Sequence, residues 1–114
     1  MRIKEIAQFI DAKVLTCPEK IEGEVKYGFA SDLMSDVLTL REDEVMLITG
    51  LCNLQTIRTA EMADISVILL VRDKKPNEEM IELAIDNNLI ILQTKHSMFR
   101  TVGILYKNGL NPVY

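Results

Sequence analysis

Small, hydroxyl-bearing and basic residues follow three apolar segments of the sequence, and together they could bind a phosphate group. They are Thr49, Gly50, Arg72, Lys74, Thr94 and Lys95. Gly50 would let the backbone approach an anion closely, while arginine and lysine would supply positive charge. Asn53 and Arg58, in the predicted helix after the first segment, could add polar contacts. The pattern predicts an anion or nucleotide-phosphate site. The alternative is a solvated loop edge, with Asn53 as a helix cap.

A second polar cluster could orient a ligand hydroxyl or a magnesium-bound phosphate. It consists of Ser31, Asp32 and Asp36. The two carboxylates are four residues apart and would share one face of a helix that began at Ser31. Serine is also a preferred N-cap residue, and aspartate is favourable in a first turn. The sequence favours the capping role for Ser31, and no metal site is predicted.

No catalytic constellation accompanies these clusters. His96 and Ser97 are adjacent, which does not make a base–nucleophile pair, and no G-x-S-x-G motif is present. Cys17 and Cys52 form no C-x-x-C pair, and a single histidine leaves a zinc site without ligands. Cys52 lies where a helix dipole would favour a thiolate, but a small, partly buried thiol is the favoured interpretation. We expect neither a cofactor nor enzymatic activity.

Three continuous apolar runs must position the candidate phosphate site. They cover residues 45–48, 66–71 and 89–92, and helical segments follow at about 53–63, 77–87 and 97–107. Strands buried on both faces have this composition, and strands alternating with helices pair in parallel through right-handed crossovers. Their carboxyl ends then lie along one edge of the sheet, where the loops meet. The predicted fold class is α/β: a three-layer domain with a mainly parallel, mixed central sheet.

Shorter elements precede these units. Apolar residues at i, i+3, i+4 and i+7 predict a helix over residues 2–10, and strands are expected at 13–16 and 25–29. Gly109 is expected at the C-terminal cap of the last helix. The 114 residues, of which 48% are hydrophobic and 26% charged, fit a single globular domain over residues 1–114.

The charge and hydropathy of the chain exclude several classes of partner. A net charge of −4 argues against general affinity for nucleic acid or an anionic membrane, since both need a positive surface. No apolar run reaches the length of a membrane span, and the first residues lack the apolar core of a signal peptide. We therefore expect a cytoplasmic protein.

Methionine and aromatic residues exceed what one small core needs. They include Met34, Met46, Met62, Met80, Met98, Phe29, Phe99 and Tyr106. Some of them could form a homodimer face, because such side chains adapt well to interfaces. The alternative is that they fill the interior of the domain. Phe99, Val102 and Tyr106 are expected to line one face of the last helix.

Several blocks of the sequence together resemble the DRTGG domain family. They are residues 29–38, 47–51, 55–58, 75–76 and 92–94, and the helix that carries Met98, Phe99 and Gly103. The family is similar in fold to the N-terminal domain of HPr kinase/phosphorylase, and it accompanies CBS domains in regulated pyrophosphatases. The namesake pentapeptide is absent, because Thr49-Gly50 and Arg72-Asp73 hold only fragments of it. The phosphate loop G-x-x-x-x-G-K-[ST] is absent as well.

The resemblance implies a non-catalytic regulatory and subunit-pairing module with an HPr kinase N-terminal-domain-like fold. It favours a homodimer and allows a small phosphorylated ligand, a nucleotide or a protein partner. A dedicated nucleotide- or anion-binding domain is the alternative function. A phosphotransfer enzyme is the least favoured interpretation.

Overall fold

The computed structural model describes residues 1–114. The helices are α1 (Ile3–Phe9), α2 (Met34–Val37), α3 (Leu54–Met62), α4 (Glu78–Asp86) and α5 (Met98–Lys107). The strands are β1 (Lys13–Val14), β2 (Tyr27–Ala30), β3 (Val45–Thr49), β4 (Val67–Leu70), β5 (Ile90–Gln93) and β6 (Asn111–Pro112), and a 3-10 turn covers Pro18–Lys20. None of the helices combines the length and the apolarity that crossing a membrane requires.

All strands join one sheet in the order β1-β5-β4-β3-β2-β6. The strands from β2 to β5 are parallel to one another, and β6 is parallel to β2. Only β1, on the outer side of β5, is antiparallel to its neighbour. Helices cover both faces, so the predicted three-layer α/β domain with a mainly parallel, mixed sheet is confirmed.

The sheet separates two apolar cores, because successive residues of a strand point to opposite faces. On β3, Met46 and Ile48 pack with α1 and α5, whereas Val45 and Leu47 pack with α2, α3 and α4. Every residue of β3, β4 and β5 is buried. Burial on both faces explains why the sequence shows continuous apolar runs instead of alternation.

The short elements differ most from the sequence predictions. The expected strand at 13–16 ends at Val14. At Thr16 the buried side chain, in place of the backbone, makes the hydrogen bonds to the neighbouring segment 89–91. Its hydroxyl donates to the carbonyl of Leu89 at 2.7 Å and accepts the N–H of Ile91 at 2.8 Å. The strand expected at 25–29 runs from Tyr27 to Ala30. The two-residue β6 has no counterpart in the prediction.

Replacing Thr101 with valine is expected to stabilise the fold. Thr101 lies on the inner side of α5, fully buried, and its hydroxyl has no hydrogen-bond partner. Removing an unpaired buried hydroxyl while keeping the shape should raise the free energy of unfolding by about 1 kcal/mol in urea titrations. Thr16→Val is the matched control: it removes a hydroxyl that makes two bonds, so stability should fall. Equal effects of the two variants would contradict this account.

Candidate functional site

The carboxyl ends of β2, β3, β4 and β5 meet at one edge of the sheet because these strands are parallel. We call the loops that follow them, residues 31–33, 50–53, 71–77 and 94–97, the rim. Two of these loops are joined directly. The N–H of Arg72 donates to the carbonyl of His96 at 2.8 Å, and the N–H of Asp73 donates to the carbonyl of Thr94 at 2.9 Å. The rim is therefore a connected structure.

The side chain of Asp32, in the loop after β2, binds the carboxyl end of the central strand β3. One oxygen of its carboxylate accepts both the hydroxyl of Thr49 and the N–H of Gly50, each at 2.8 Å. The Thr49 hydroxyl in turn accepts the N–H of Leu51 at 3.1 Å. In α/β proteins, backbone N–H groups at this position are available to a phosphate. Here the chain's own carboxylate takes that place.

These contacts set the charge of Asp32. The N–H of Gly50, above all, and the hydroxyl of Thr49 hold the pKa of the carboxyl below its ordinary value of 3.8. Partial burial opposes the shift, and the positive charge of Arg72 adds to it. The carboxylate is therefore ionised at neutral pH, and a second anion at Gly50 would meet its negative charge.

Arg72 and Asp73 give the β4–α4 loop its unusual conformation. Both have left-handed backbone angles, with φ of 61° and 56°, which few residues other than glycine adopt. Their N–H groups are both bonded to the β5–α5 loop, which holds this arrangement. Arg72 and Lys95 are exposed, and neither belongs to an ion pair. The rim thus presents two unpaired basic side chains.

A second surface stands out on α5. Phe99 and Tyr106 are 90% and 68% exposed, and Val102 lies between them on the same side of the helix. We call Phe99, Val102, Gly103 and Tyr106 the α5 surface. An aromatic pair left in water on a regular helix is typical of a protein interaction site.

An apolar cleft of about 210 Å³ adjoins the α5 surface. It lies where β2 is incompletely covered, because only α1 and α5 pack on this face of the sheet. Gly28 lines the cleft, and a Cβ there would stand 2.9 Å from a methyl of Leu110. Tyr106 and Tyr114 lie at its border. The α5 surface therefore continues into a depression that can receive an apolar side chain.

The sequence model of the DRTGG domain matches residues 5–107 of this chain. The chain belongs to the DRTGG domain family. No curated protein matches its sequence.

The fold is shared with a solved regulatory region. The crystal structure of the CBS and DRTGG domains of Clostridium perfringens pyrophosphatase, complexed with its activator diadenosine tetraphosphate, superimposes with a TM-score of 0.74 at 17% sequence identity. The match covers 98% of this chain and 48% of the other, so the DRTGG domain described here spans about half the length of that structure.

Half of the predicted phosphate-site residues use their polar groups within the fold. Thr49 and Gly50 bond to Asp32. The hydroxyl of Thr94 donates to the carbonyl of Ile10 at 2.8 Å. The side chain of Asn53 accepts the N–H of Thr56 at 3.1 Å and so caps α3. This last contact is the capping alternative that the sequence left open.

The other half are basic residues in different settings. Arg72 and Lys95 are exposed on the rim. Lys74 is half-buried, and its carbonyl accepts the side-chain amide of Gln93 at 2.8 Å. Arg58 is exposed further along α3. The structure thus brings Arg72, Lys74 and Lys95 to the rim loops and leaves Arg58 on the helix.

Ser31 is not an N-cap, contrary to the sequence prediction. α2 begins at Met34 with Leu33 at its N-cap, and the Ser31 hydroxyl accepts the N–H of Leu33 at 3.0 Å within a turn. Because Asp32 precedes the helix, it does not share a helix face with Asp36. The reason is tertiary: Asp32 is held by Thr49, 17 residues away along the chain.

Cys52 does not lie in a helix turn either, because α3 begins at Leu54 with Asn53 as its N-cap. Burial raises the pKa of the Cys52 thiol, and the ammonium group of Lys74 offsets only part of this rise. The thiol is therefore protonated at neutral pH, as expected of a partly buried structural cysteine.

Sequence reasoning missed the bond between Asp32 and the end of β3, and it named Gly103 only as part of the family resemblance, without a place on an exposed surface. For Asp32 the available signal was an aspartate directly after one strand and a Thr-Gly pair directly after another. For Gly103 it was a glycine in the middle of a helix beside two aromatic residues.

Proposed function

We propose that this DRTGG domain regulates by pairing with a second copy of itself through the α5 surface. The exposure of Phe99 and Tyr106 on one face of a regular helix is the observation that carries this proposal. Aromatic side chains bury a large area and are enriched at interface hot spots. The neighbouring cleft adds apolar area that pairing could cover.

The distribution of charge favours α5 over α4 as the surface for a second copy. Two chains with a net charge of −4 repel each other at long range. The acidic residues Glu78, Glu79, Glu82 and Asp86 lie on α4, on the opposite face of the sheet. Within α5 the charged residues are Arg100 and Lys107, both basic. Pairing through α5 therefore keeps the acidic α4 helices of the two copies apart. A different protein is the alternative occupant of the same surface.

Light scattering coupled to size exclusion tests the pairing on the natural chain. Across a dilution series in the micromolar range, we expect a dimer that dissociates only at the lowest concentrations. Added salt should not dissociate the dimer, because the area buried between the two copies is mainly apolar. A monomer at every concentration would exclude this function.

We further propose that residues 1–114 act as one non-catalytic domain in the cytoplasm. The hydroxyl of Ser97 caps α5 by accepting the N–H of Arg100 at 3.2 Å, which gives it a structural role beside His96. Cys17 and Cys52 are free thiols, which suits a reducing compartment. Turnover of any phosphorylated substrate by the purified chain would contradict the non-catalytic assignment.

A phosphate-bearing ligand on the rim is the second candidate function. Arg72 and Lys95 are exposed on neighbouring loops without ion-pair partners, and opposite charge on a ligand would satisfy both. The Clostridium structure contains a nucleotide, diadenosine tetraphosphate. Because Asp32 already occupies the N–H of Gly50, the ligand would be held by side chains on the β4 and β5 loops.

Arg72→Ala and Lys95→Ala are each expected to raise the dissociation constant of such a ligand about tenfold, since each removes one charge-assisted contact. The measurement is the shift in Tm produced by ATP, ADP, AMP and acetyl phosphate, because a ligand that binds only the folded state raises Tm. Lys107→Ala, at the far end of α5, is the control and should leave the shift unchanged. An equal shift in all three variants would refute the placement on the rim.

A further inference from the structure

Gly103 lies in the middle of α5, where glycine is among the least favourable residues for helix stability. It is exposed, and a Cβ added there would meet no atom within 4 Å. The backbone is helical at this position, so no unusual angle requires glycine. Nothing inside the domain therefore accounts for the missing side chain, and its neighbours on the exposed face are the α5-surface residues Val102 and Tyr106.

We infer that Gly103 is the point of closest approach between α5 and the α5 helix of a second copy, in an antiparallel crossing; this rests on the pairing proposed above. Glycine and other small residues let two helix backbones come closer than larger side chains allow. The aromatic residues of the α5 surface then pack on either side of the crossing.

The spacing along α5 is self-complementary. The helix runs from Met98 to Lys107, so its centre lies between Val102 and Gly103. Phe99 and Tyr106 stand at equal distances on either side of that centre, about 10 Å apart along the axis. A two-fold axis through the centre brings Phe99 of one copy onto Tyr106 of the other, as an isologous interface requires.

The antiparallel direction has an electrostatic consequence. On a helical wheel, Arg100 and Lys107 lie on the same flank of the α5 surface, about 90° from its middle. A two-fold axis across the helices places equal flanks side by side, so Arg100 of one copy faces Lys107 of the other. Arg100→Glu should therefore tighten the pair a fewfold, by replacing a repulsion with an ion pair. In a parallel crossing the flanks would not meet.

Gly103→Ala separates the effect of this position on helix stability from its effect on dimer affinity. The diluted, monomeric variant should unfold several degrees higher than the natural chain, because alanine is the better helix former. At the same time the dissociation constant of its dimer, measured by sedimentation equilibrium, should rise roughly tenfold or more, because the new methyl group stands between the helices. Gln55→Ala, at an exposed position of α3, is the matched control and should leave the dissociation constant unchanged.

Each outcome has a distinct meaning. A natural chain that stays monomeric removes the proposed pairing and this inference together. A dimer whose affinity is unchanged by Gly103→Ala overturns the inference alone. A dimer that weakens with Gly103→Ala but does not tighten with Arg100→Glu retains the crossing point and overturns its antiparallel direction.

Discussion

A chain carrying both Phe99→Ala and Tyr106→Ala is expected to be monomeric at concentrations where the natural chain forms dimers. Both side chains are mostly exposed, at 90% and 68%, so truncating them removes no contact that the isolated fold needs. Aromatic hot spots contribute about 2 kcal/mol or more each at interfaces. Two of them per copy would shift the dissociation constant by at least about a thousandfold. Sedimentation equilibrium measures this shift, and the Tm of diluted samples should stay the same or rise slightly, because alanine is the better helix former.

A matched control comes from the opposite face of the sheet. Met62, at the end of α3, is 67% exposed and lies on the side covered by α2, α3 and α4. Met62→Ala removes a comparable apolar side chain and should leave pairing intact. If Met62→Ala weakens the dimer as much as the aromatic variant does, the interface lies elsewhere.

Asp32→Ala is expected to lower the free energy of unfolding by about 2 kcal/mol. The substitution leaves the buried hydroxyl of Thr49 and the N–H of Gly50 without their acceptor. It also removes the side-chain bonds between the β2–α2 loop and the end of β3, and leaves the backbone bond from the N–H of Ser31 to the carbonyl of Ile48. Urea titration at neutral pH measures the loss. Asp32→Asn keeps an acceptor oxygen and should lose roughly half as much.

Asp36→Ala is the control for this prediction. Asp36 is an exposed carboxylate on α2, close to Asp32 in sequence, and its side chain makes no hydrogen bond to the rest of the chain. Its removal should change stability by less than about 0.5 kcal/mol. Similar losses for the two aspartates would show that the bonds to β3 contribute little.

The Asp32 carboxylate also makes the free energy of unfolding depend on pH. The folded pKa of Asp32 lies below its ordinary value of 3.8, so the unfolded chain binds a proton more readily than the folded one. Its contribution is complete above about pH 5 and is lost as the pH falls through 3.8 toward the folded pKa. In urea titrations, the gap between the natural chain and Asp32→Ala should therefore narrow below about pH 4.

Asp32→Ala also bears on the rim as a ligand site. Without the carboxylate, the N–H of Gly50 is open and the negative charge beside Arg72 is gone. If a phosphate binds the rim, its affinity should rise in this variant, because an internal competitor has been removed. A fall in affinity would mean that Asp32 itself holds the ligand.

The central architecture was predictable because its cause is local in sequence. β3, β4 and β5 are buried on both faces, so each is a continuous apolar run, and each is followed by an amphipathic helix that closes a crossover. Two-residue strands such as β6 have no periodicity to detect. Their existence depends on tertiary contacts that bring Asn111 and Pro112 beside β2.

The site was less predictable, because its decisive contacts join distant parts of the chain. The start of α2 was misplaced since Asp32 bonds to β3 instead of sitting within the helix. The shared face of Phe99, Val102 and Tyr106 was predicted, but not the side of α5 that faces the core. Thr101 and Leu105 face inward and the aromatic residues outward. Met98 and Ile104 also pack against the core, so both sides of this helix carry apolar residues and hydrophobicity alone does not tell which side faces inward.

The two ends of the sheet limit how the protein can assemble. The edge strands β1 and β6 are only two residues long, and β6 ends in Pro112, which has no N–H to donate. Short strands and proline at an edge offer no continuous row of backbone donors and acceptors on which another chain could align. These edges disfavour cross-β aggregation, although β3, β4 and β5 in the middle of the sheet are apolar segments of the kind that aggregates when exposed.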